Sequence, residues 1–196
     1  MKTQFYTGTG DKGQSHIGKK TFDKDDVIFH ILGSLDECNS MLGIVKSFTP
    51  KEFKDKRQKT LSHFVNRLQQ MVFIAQAETA TLGFGFGTYE SAKEKEFHRI
   101  KTTHVAEVES IIHILDEVLP ELKHFIVPGG TKQAAFLDLA RTSARRVERY
   151  AVAYNKEKPF SPEYLQFMNR LSSVFFVLAR YSNFINGVEE EAPEYK

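Results

Sequence analysis

Apolar residues recur at three- and four-residue spacing along most of the chain, the period of amphipathic helices rather than of strands. From about Val27 to Ser47, the residues Ile28, Ile31, Leu35, Cys38, Leu42 and Val45 fall on one face, and Pro50 stops the run. After the charged connection KEFKDKRQK, a second helix carries Leu61, Phe64, Val65, Leu68, Met71, Val72 and Ala75 and ends in the glycine run GFGFG. The pattern predicts a third helix through Phe97, Ile100, Val108, Ile111, Leu115 and Val118 before Pro120. A fourth carries Leu137, Ala140, Ala144, Val147, Ala151 and Tyr154, ending before Pro159. Ser161 and Pro162 stand in favoured N-cap and first-turn positions for a fifth, which carries Leu165, Met168, Leu171, Phe175, Leu178, Ser182 and Ile185. No segment alternates convincingly enough for a strand. The expectation is an all-α five-helix bundle in one domain spanning 1–196, with a glycine-rich loop over 1–26 and a frayed, solvated tail over 187–196.

Composition narrows the function classes. A chain of 196 residues can bury roughly 70% of its unfolded surface in one core. With 27 Lys+Arg against 25 Asp+Glu, the net charge of +2 argues against bulk nucleic-acid affinity. Cys38 is the only cysteine, which excludes an intrachain disulfide and a cysteine-based zinc site. No apolar run approaches the ~20 residues that span a bilayer, and MKTQFYTGTGDKG lacks the apolar core of a signal peptide. A reducing, cytoplasmic setting is the default expectation.

The seven histidines include no i,i+4 pair with an intervening Glu, so a zinc hydrolase is unsupported. The fourth helix differs from the rest. In LDLARTSARRVERY, Arg141, Arg145 and Arg149 stand at i, i+4 and i+8, and at about 100° per residue they share a sector with Glu148 beside the apolar seam. Guanidinium forks suit phosphate or carboxylate, and Glu148 can orient one of them. An inter-helix salt-bridge stripe, with Asp36 or Glu37 as acceptors, explains the same spacing equally well. The opening TGTGDKG offers backbone N–H groups and Lys12 to an anion, although a plain coil has the same composition. HFIVPGGTK places a tight Pro-Gly-Gly turn just before the arginines, and on residue type alone Phe125 and Ile126 read as core. Asn169, in the middle of an apolar helix, is either a buried group bonded to backbone or a ligand contact.

These pieces resemble the PduO-type ATP:cob(I)alamin adenosyltransferases, also called corrinoid adenosyltransferases. The matching stretches are YTGTGDKG at 6–13, KDD at 24–26, the G-x-x-DE-x-NS-x-x-G pattern at 33–43, FIVPGG at 125–130, ARTSARRVER at 140–149 and NRLS at 169–172. Their order and spacing cover nearly the whole chain. The resemblance implies a five-helix bundle assembling as a homotrimer with active sites between subunits. It implies transfer of the 5′-deoxyadenosyl group of ATP to the cobalt of cob(I)alamin, with release of tripolyphosphate. Carried over residue by residue, Thr7, Gly8, Thr9, Gly10, Ser15 and Lys24 surround ATP from one subunit. Arg145, Arg146, Glu148, Arg149 and Asn169 complete the nucleotide site. Arg141 pairs with Asp36 across the interface, so Arg141, Arg145 and Asp36 form the catalytic set, and Phe125 sits under the corrin ring. Mg²⁺ accompanies the ATP phosphates. A flavin-dependent reductase and an adenosylcobalamin-dependent enzyme are the implied partners, with no nucleic acid and no membrane.

The chain departs from the family pattern at two places on the ATP side. His16 stands where a Ser or Thr usually touches phosphate, and Ser173 stands where NRLSD has its acidic residue. The competing readings are a non-catalytic ATP- or cobalamin-binding carrier or sensor, a nucleic-acid binder using the arginine stripe, and a purely structural bundle.

Overall fold

The computed structural model describes residues 5–6, 8–17, 19–48, 56–85 and 97–195, with backbone alone at 56, 58 and 59. Thr7 therefore lies outside the described residues, as do Gly87 and most of the KEFKDKRQK connection. Five helices form among the described residues: α1 (Val27–Ser47), α2 (Lys56–Gly83), α3 (Thr102–Asp116), α4 (Lys132–Tyr154) and α5 (Pro162–Ile185). Helix α1 packs along α2 on one side and α4 on the other, α4 packs along α5, and α5 along α3. Lighter contacts from α2 to α5 and α3 close the bundle.

The starts of three helices follow directly from their capping residues. Asp26, from the KDD stretch, accepts the Ile28 N–H at 3.0 Å and caps α1. Thr131 accepts the Ala134 N–H at 3.0 Å for α4, and Ser161 accepts the Tyr164 N–H at 3.0 Å for α5, with Pro162 in the first turn. The predicted face of α1 is buried throughout at Ile28, Ile31, Leu35, Cys38, Leu42 and Val45. On α4 five of the eight buried residues are small, Ala134, Ala140, Ser143, Ala144 and Ala151, beside Leu137, Val147 and Tyr154. Small side chains let α1 approach the α4 backbone closely, and the Cys38 thiol reaches the Ala140 carbonyl at 3.5 Å. Burial pushes that thiol's pKa up to about 12.

Helix α3 is shorter than its periodicity suggests. Ile100 is buried, but from an extended segment rather than a helix, because its N–H donates to Glu78 Oε2 at 2.6 Å. Phe97 likewise precedes the helix, and Val118 follows it, half exposed. Glu78 is itself almost fully buried on α2 and also accepts the Ser161 hydroxyl at 3.0 Å. One carboxylate thus ties α2 to the entry of α3 and to the cap of α5. Its desolvation raises its pKa, opposed by those two hydrogen bonds.

The N-terminal segment is not a plain loop. Strands β1 (Gln14–Ile17) and β2 (Lys20–Asp23) pair antiparallel with Ser15 opposite Phe22 and His16 opposite Thr21. Phe22 anchors this hairpin on the bundle through the rings of Phe84 and Phe29, with centroids 4.9 and 6.5 Å away. With four residues per strand and only Ile17 and Phe22 as apolar inward positions, the hairpin has too short an alternation to read from sequence. The C-terminal segment also differs from expectation, being tied at two points. Glu190 pairs with Arg180 on α5, and the Glu191 carbonyl accepts the Val127 N–H at 2.8 Å.

Candidate functional site

Helix α4 presents the arginines between α1 and α5. Within the chain, none of the three stripe arginines reaches Asp36 or Glu37. Arg141 donates from Nε to Asp138 Oδ1 at 3.3 Å on its own helix, and Arg149 donates to the Arg145 carbonyl at 3.2 Å. Arg145 is exposed, and its guanidinium has no partner among the described residues. Asp36 on α1 is likewise exposed and unpartnered among them. The arginine that does cross to α1 is Arg146, which pairs with Glu37 and donates to the Ser34 hydroxyl at 3.2 Å. Ser143 joins that cluster by donating to Glu37 at 3.0 Å. The salt-bridge explanation therefore accounts for Arg146 and leaves the stripe itself unexplained inside one chain.

Asn169 is exposed on α5 rather than buried, and side chains, not backbone, are its partners. It donates to Glu148 Oε1 at 2.7 Å and accepts from Arg170 Nη1 at 2.6 Å. Arg170 in turn donates to Glu109 on α3 at 2.9 Å. This chain of charge-assisted bonds fixes the orientation of the Asn169 amide and of the Glu148 carboxylate. Ser173, one turn along from Asn169, is exposed.

At the hairpin, Gly8 and Gly13 adopt positive φ angles of 74° and 79°. Gly10 has another requirement: the Lys24 ammonium lies so close that a Cβ there would meet Nζ at 2.6 Å. Its missing side chain thus allows Lys24 to lie across the glycine loop, and the Lys24 N–H closes the turn on the Gly13 carbonyl at 2.9 Å. Ser15 is half-buried in β1, and Thr9 is exposed. The His16 ring is held at 2.9 Å from the Thr21 hydroxyl on the facing strand, which gives this departure from the family pattern a cross-strand partner.

Phe125 is not a core residue: it is 81% exposed. It stands on a segment that is firmly held at its far end. Asn183 donates to the Gly129 carbonyl at 3.0 Å and accepts the Thr131 N–H at 2.9 Å, and Gly130, at φ 94°, approaches that amide too closely for any side chain. Two concavities flank the Phe125 segment. One, about 540 Å³, is lined by Leu119, Pro120, Leu122, Ile126, Phe184 and Val188. The other, about 480 Å³, lies between Leu122, His124 and Phe125 on one side and Pro193 and Tyr195 on the other.

The wall of the larger cavity holds two residues that the sequence pattern did not single out. Arg180 is buried and forms a bidentate pair with Glu190, Nε–Oε1 at 3.0 Å and Nη2–Oε2 at 3.0 Å, while Nη2 also reaches the Pro120 carbonyl at 2.9 Å. A lone charge inside SVFFVLARYSNFI was the available signal, because a charge so placed needs a partner.

A family model described as cobalamin adenosyltransferase matches residues 5–182, which include the hairpin, the Phe125 segment and the arginine helix. The chain belongs to the cobalamin adenosyltransferase family. Among curated relatives, the corrinoid adenosyltransferase of Bacillus subtilis is 32% identical over 94% of this chain and 89% of its own length. The corrinoid adenosyltransferase of Homo sapiens is 30% identical over 96% of this chain and 72% of its own. Among solved structures, a phenylalanine-to-histidine variant of the PduO-type ATP:corrinoid adenosyltransferase from Lactobacillus reuteri, complexed with cobalamin and ATP, superposes with a TM-score of 0.81. It is 32% identical, over 97% of this chain and 96% of that one. An arginine-to-lysine variant of that enzyme complexed with ATP gives 0.79 at 30% identity, over 97% and 100% of the two chains.

No helix among the described residues is long and apolar enough to cross a membrane. Nor does any group of three or more His, Cys, Asp or Glu among them stand close enough to hold a metal ion.

Proposed function

We propose that this protein transfers the 5′-deoxyadenosyl group of ATP to the cobalt of cob(I)alamin. The observation that carries the reading is the pairing of an unpartnered, exposed Arg145 on a rigid helix with an exposed Phe125 on a clamped segment. An anion-binding group and an apolar platform are both left free of other work. The cobalt of the reduced corrin attacks C5′ of the ribose. A cobalt–carbon bond forms as the bond from C5′ to the triphosphate oxygen breaks, and tripolyphosphate departs with the electron pair. Cobalt is already a strong nucleophile, so the chain needs no general base.

The protein's work is alignment and charge stabilisation, each worth several kcal/mol in such sites. Arg145 and Arg149 receive the charge that builds on the leaving group, and Arg146, held by Glu37, borders them. Glu148 and Asn169, fixed by Arg170, position the nucleoside. From a second subunit, Thr7, Gly8, Thr9, Gly10 and Ser15 surround the triphosphate, with Lys24 supplying positive charge. Arg141 pairs with Asp36 across the interface, which makes the active form a homotrimer with shared sites. Mg²⁺ bound to the phosphates would offset part of their charge. Phe125 lies under the corrin and displaces its lower axial ligand, which makes cob(II)alamin easier to reduce. A reductase supplies the electron, an adenosylcobalamin-dependent enzyme takes the product, and the setting is cytoplasmic.

Reduced cobalamin and ATP incubated with the protein should yield adenosylcobalamin. ATP binding without formation of a cobalt–carbon bond would favour a carrier or sensor instead.

A further inference from the structure

The Pro-Gly-Gly turn beyond Phe125 and the arginine stripe of α4 meet at one side chain that the reading above does not use. Asp138 accepts the Gly129 N–H on Oδ2 at 3.3 Å and Arg141 Nε on Oδ1 at 3.3 Å. Its side chain is 14% exposed, and that of Arg141 26%. No other described residue bonds both the 124–130 segment and a side chain of the stripe. Among side chains of this size, an ionised carboxylate can accept from two donors at once and donates to neither.

The geometry points to Asp138 as a positioning residue for adenosyl transfer, an inference that rests on the function proposed above. The turn is clamped from α5 by Asn183, and Asp138 clamps the same turn from α4. Phe125 lies four residues upstream of Gly129, with the Val127 N–H held by the Glu191 carbonyl between them, so we take the turn as one of two anchors of the segment that carries the ring. At its other oxygen, Asp138 engages only Nε of Arg141 and leaves both terminal nitrogens without a partner among the described residues. Those are the nitrogens an acceptor on a neighbouring subunit needs. Asp138 therefore links the corrin-side platform to the interface-side arginine through one carboxylate.

The test is Asp138→Asn. An amide of the same shape presents one acceptor, so either Gly129 or Arg141 then faces an NH₂ group. Losing one such charge-assisted bond should raise hydrogen exchange across 125–130 about tenfold without substrates. It should also lower turnover from cob(II)alamin plus reductant by about tenfold relative to turnover of supplied cob(I)alamin. Asp138→Ser, too short to span both donors, carries the same expectation should the first variant not fold. An unchanged ratio of the two turnover rates overturns the inference, whatever happens to stability. A wild-type protein that forms no adenosylcobalamin refutes the enzyme reading itself. An active wild type with an unmoved ratio refutes the role of Asp138 alone.

Discussion

Replacing Glu190 with alanine strands a guanidinium in the bundle. The Arg180 side chain is 7% exposed and that of Glu190 20%. Three of the contacts that satisfy Arg180 come from this one carboxylate, at 3.0, 3.1 and 3.0 Å, and the Pro120 carbonyl supplies the remaining one. Breaking a buried pair from one side costs about 3–5 kcal/mol, because the remaining charge stays desolvated. Glu190 lies beyond the end of α5 and keeps a fifth of its surface in water, so solvent can reach the vacated position. That places the expected loss near the lower figure, about 3 kcal/mol. For a chain of this size the melting temperature should fall by about 6–12 °C. Urea unfolding should show a lower midpoint with an unchanged slope. Protein concentration must be held fixed, because the proposed assembly would add its own stabilisation. The double variant Arg180→Met, Glu190→Met should recover most of the loss, since apolar side chains of similar volume remove the desolvated charge. A single variant within about 0.5 kcal/mol of wild type would refute the reasoning, as would a double variant no more stable than the single.

Arg145→Ala should weaken ATP binding by about tenfold or more, as expected for a lost charge-assisted contact to phosphate. Its melting temperature should stay near wild type, and calorimetric titration beside a thermal melt distinguishes this from a structural role, which reverses the two results. Phe125→Ala should impair turnover from cob(II)alamin more than turnover of supplied cob(I)alamin, and equal losses would reject the platform role. Burial holds the Glu78 carboxyl above its ordinary 4.5, so the folded state retains that proton more strongly than the unfolded state, and stability attributable to it falls as pH rises through the window above 4.5. Glu78→Gln still accepts from Ile100 and can donate to Ser161, so its stability relative to wild type should climb with pH across that window and then level off. A pH-independent difference in urea midpoints would contradict this. Cys38 should resist a thiol reagent in the native state and react fully in denaturant, whereas rapid native labelling would show that the α1–α4 seam opens.

The long helices were legible because each carries its own evidence: α1 repeats its apolar face over 21 residues, and α5 opens on Ser161 and Pro162. What escaped was set by single long-range bonds. Ile100 continues the helical period of α3, yet Glu78, 22 residues earlier, takes its N–H and holds it extended. The hairpin depends on Phe22 meeting Phe84, a contact no local pattern encodes. At the site, spacing put Arg141, Arg145 and Arg149 on one face. It did not show that Arg146, off that face, is the arginine that crosses to Glu37, 109 residues away. Residue type suggested a buried Phe125, since most phenylalanines are buried, and only the fold shows it standing in solvent. Arg180 and Glu190 form a pair only because the segment after α5 turns back along that helix.

The central claim is transfer of adenosyl from ATP to cobalt with loss of the whole triphosphate. Its most direct test counts both products from one reaction of protein, ATP, Mg²⁺ and chemically reduced cobalamin. Adenosylcobalamin is read by its visible spectrum and the phosphate species by phosphorus magnetic resonance. One tripolyphosphate should appear for each adenosylcobalamin formed. Orthophosphate or pyrophosphate released in its place, or tripolyphosphate without a cobalt–carbon bond, would contradict it.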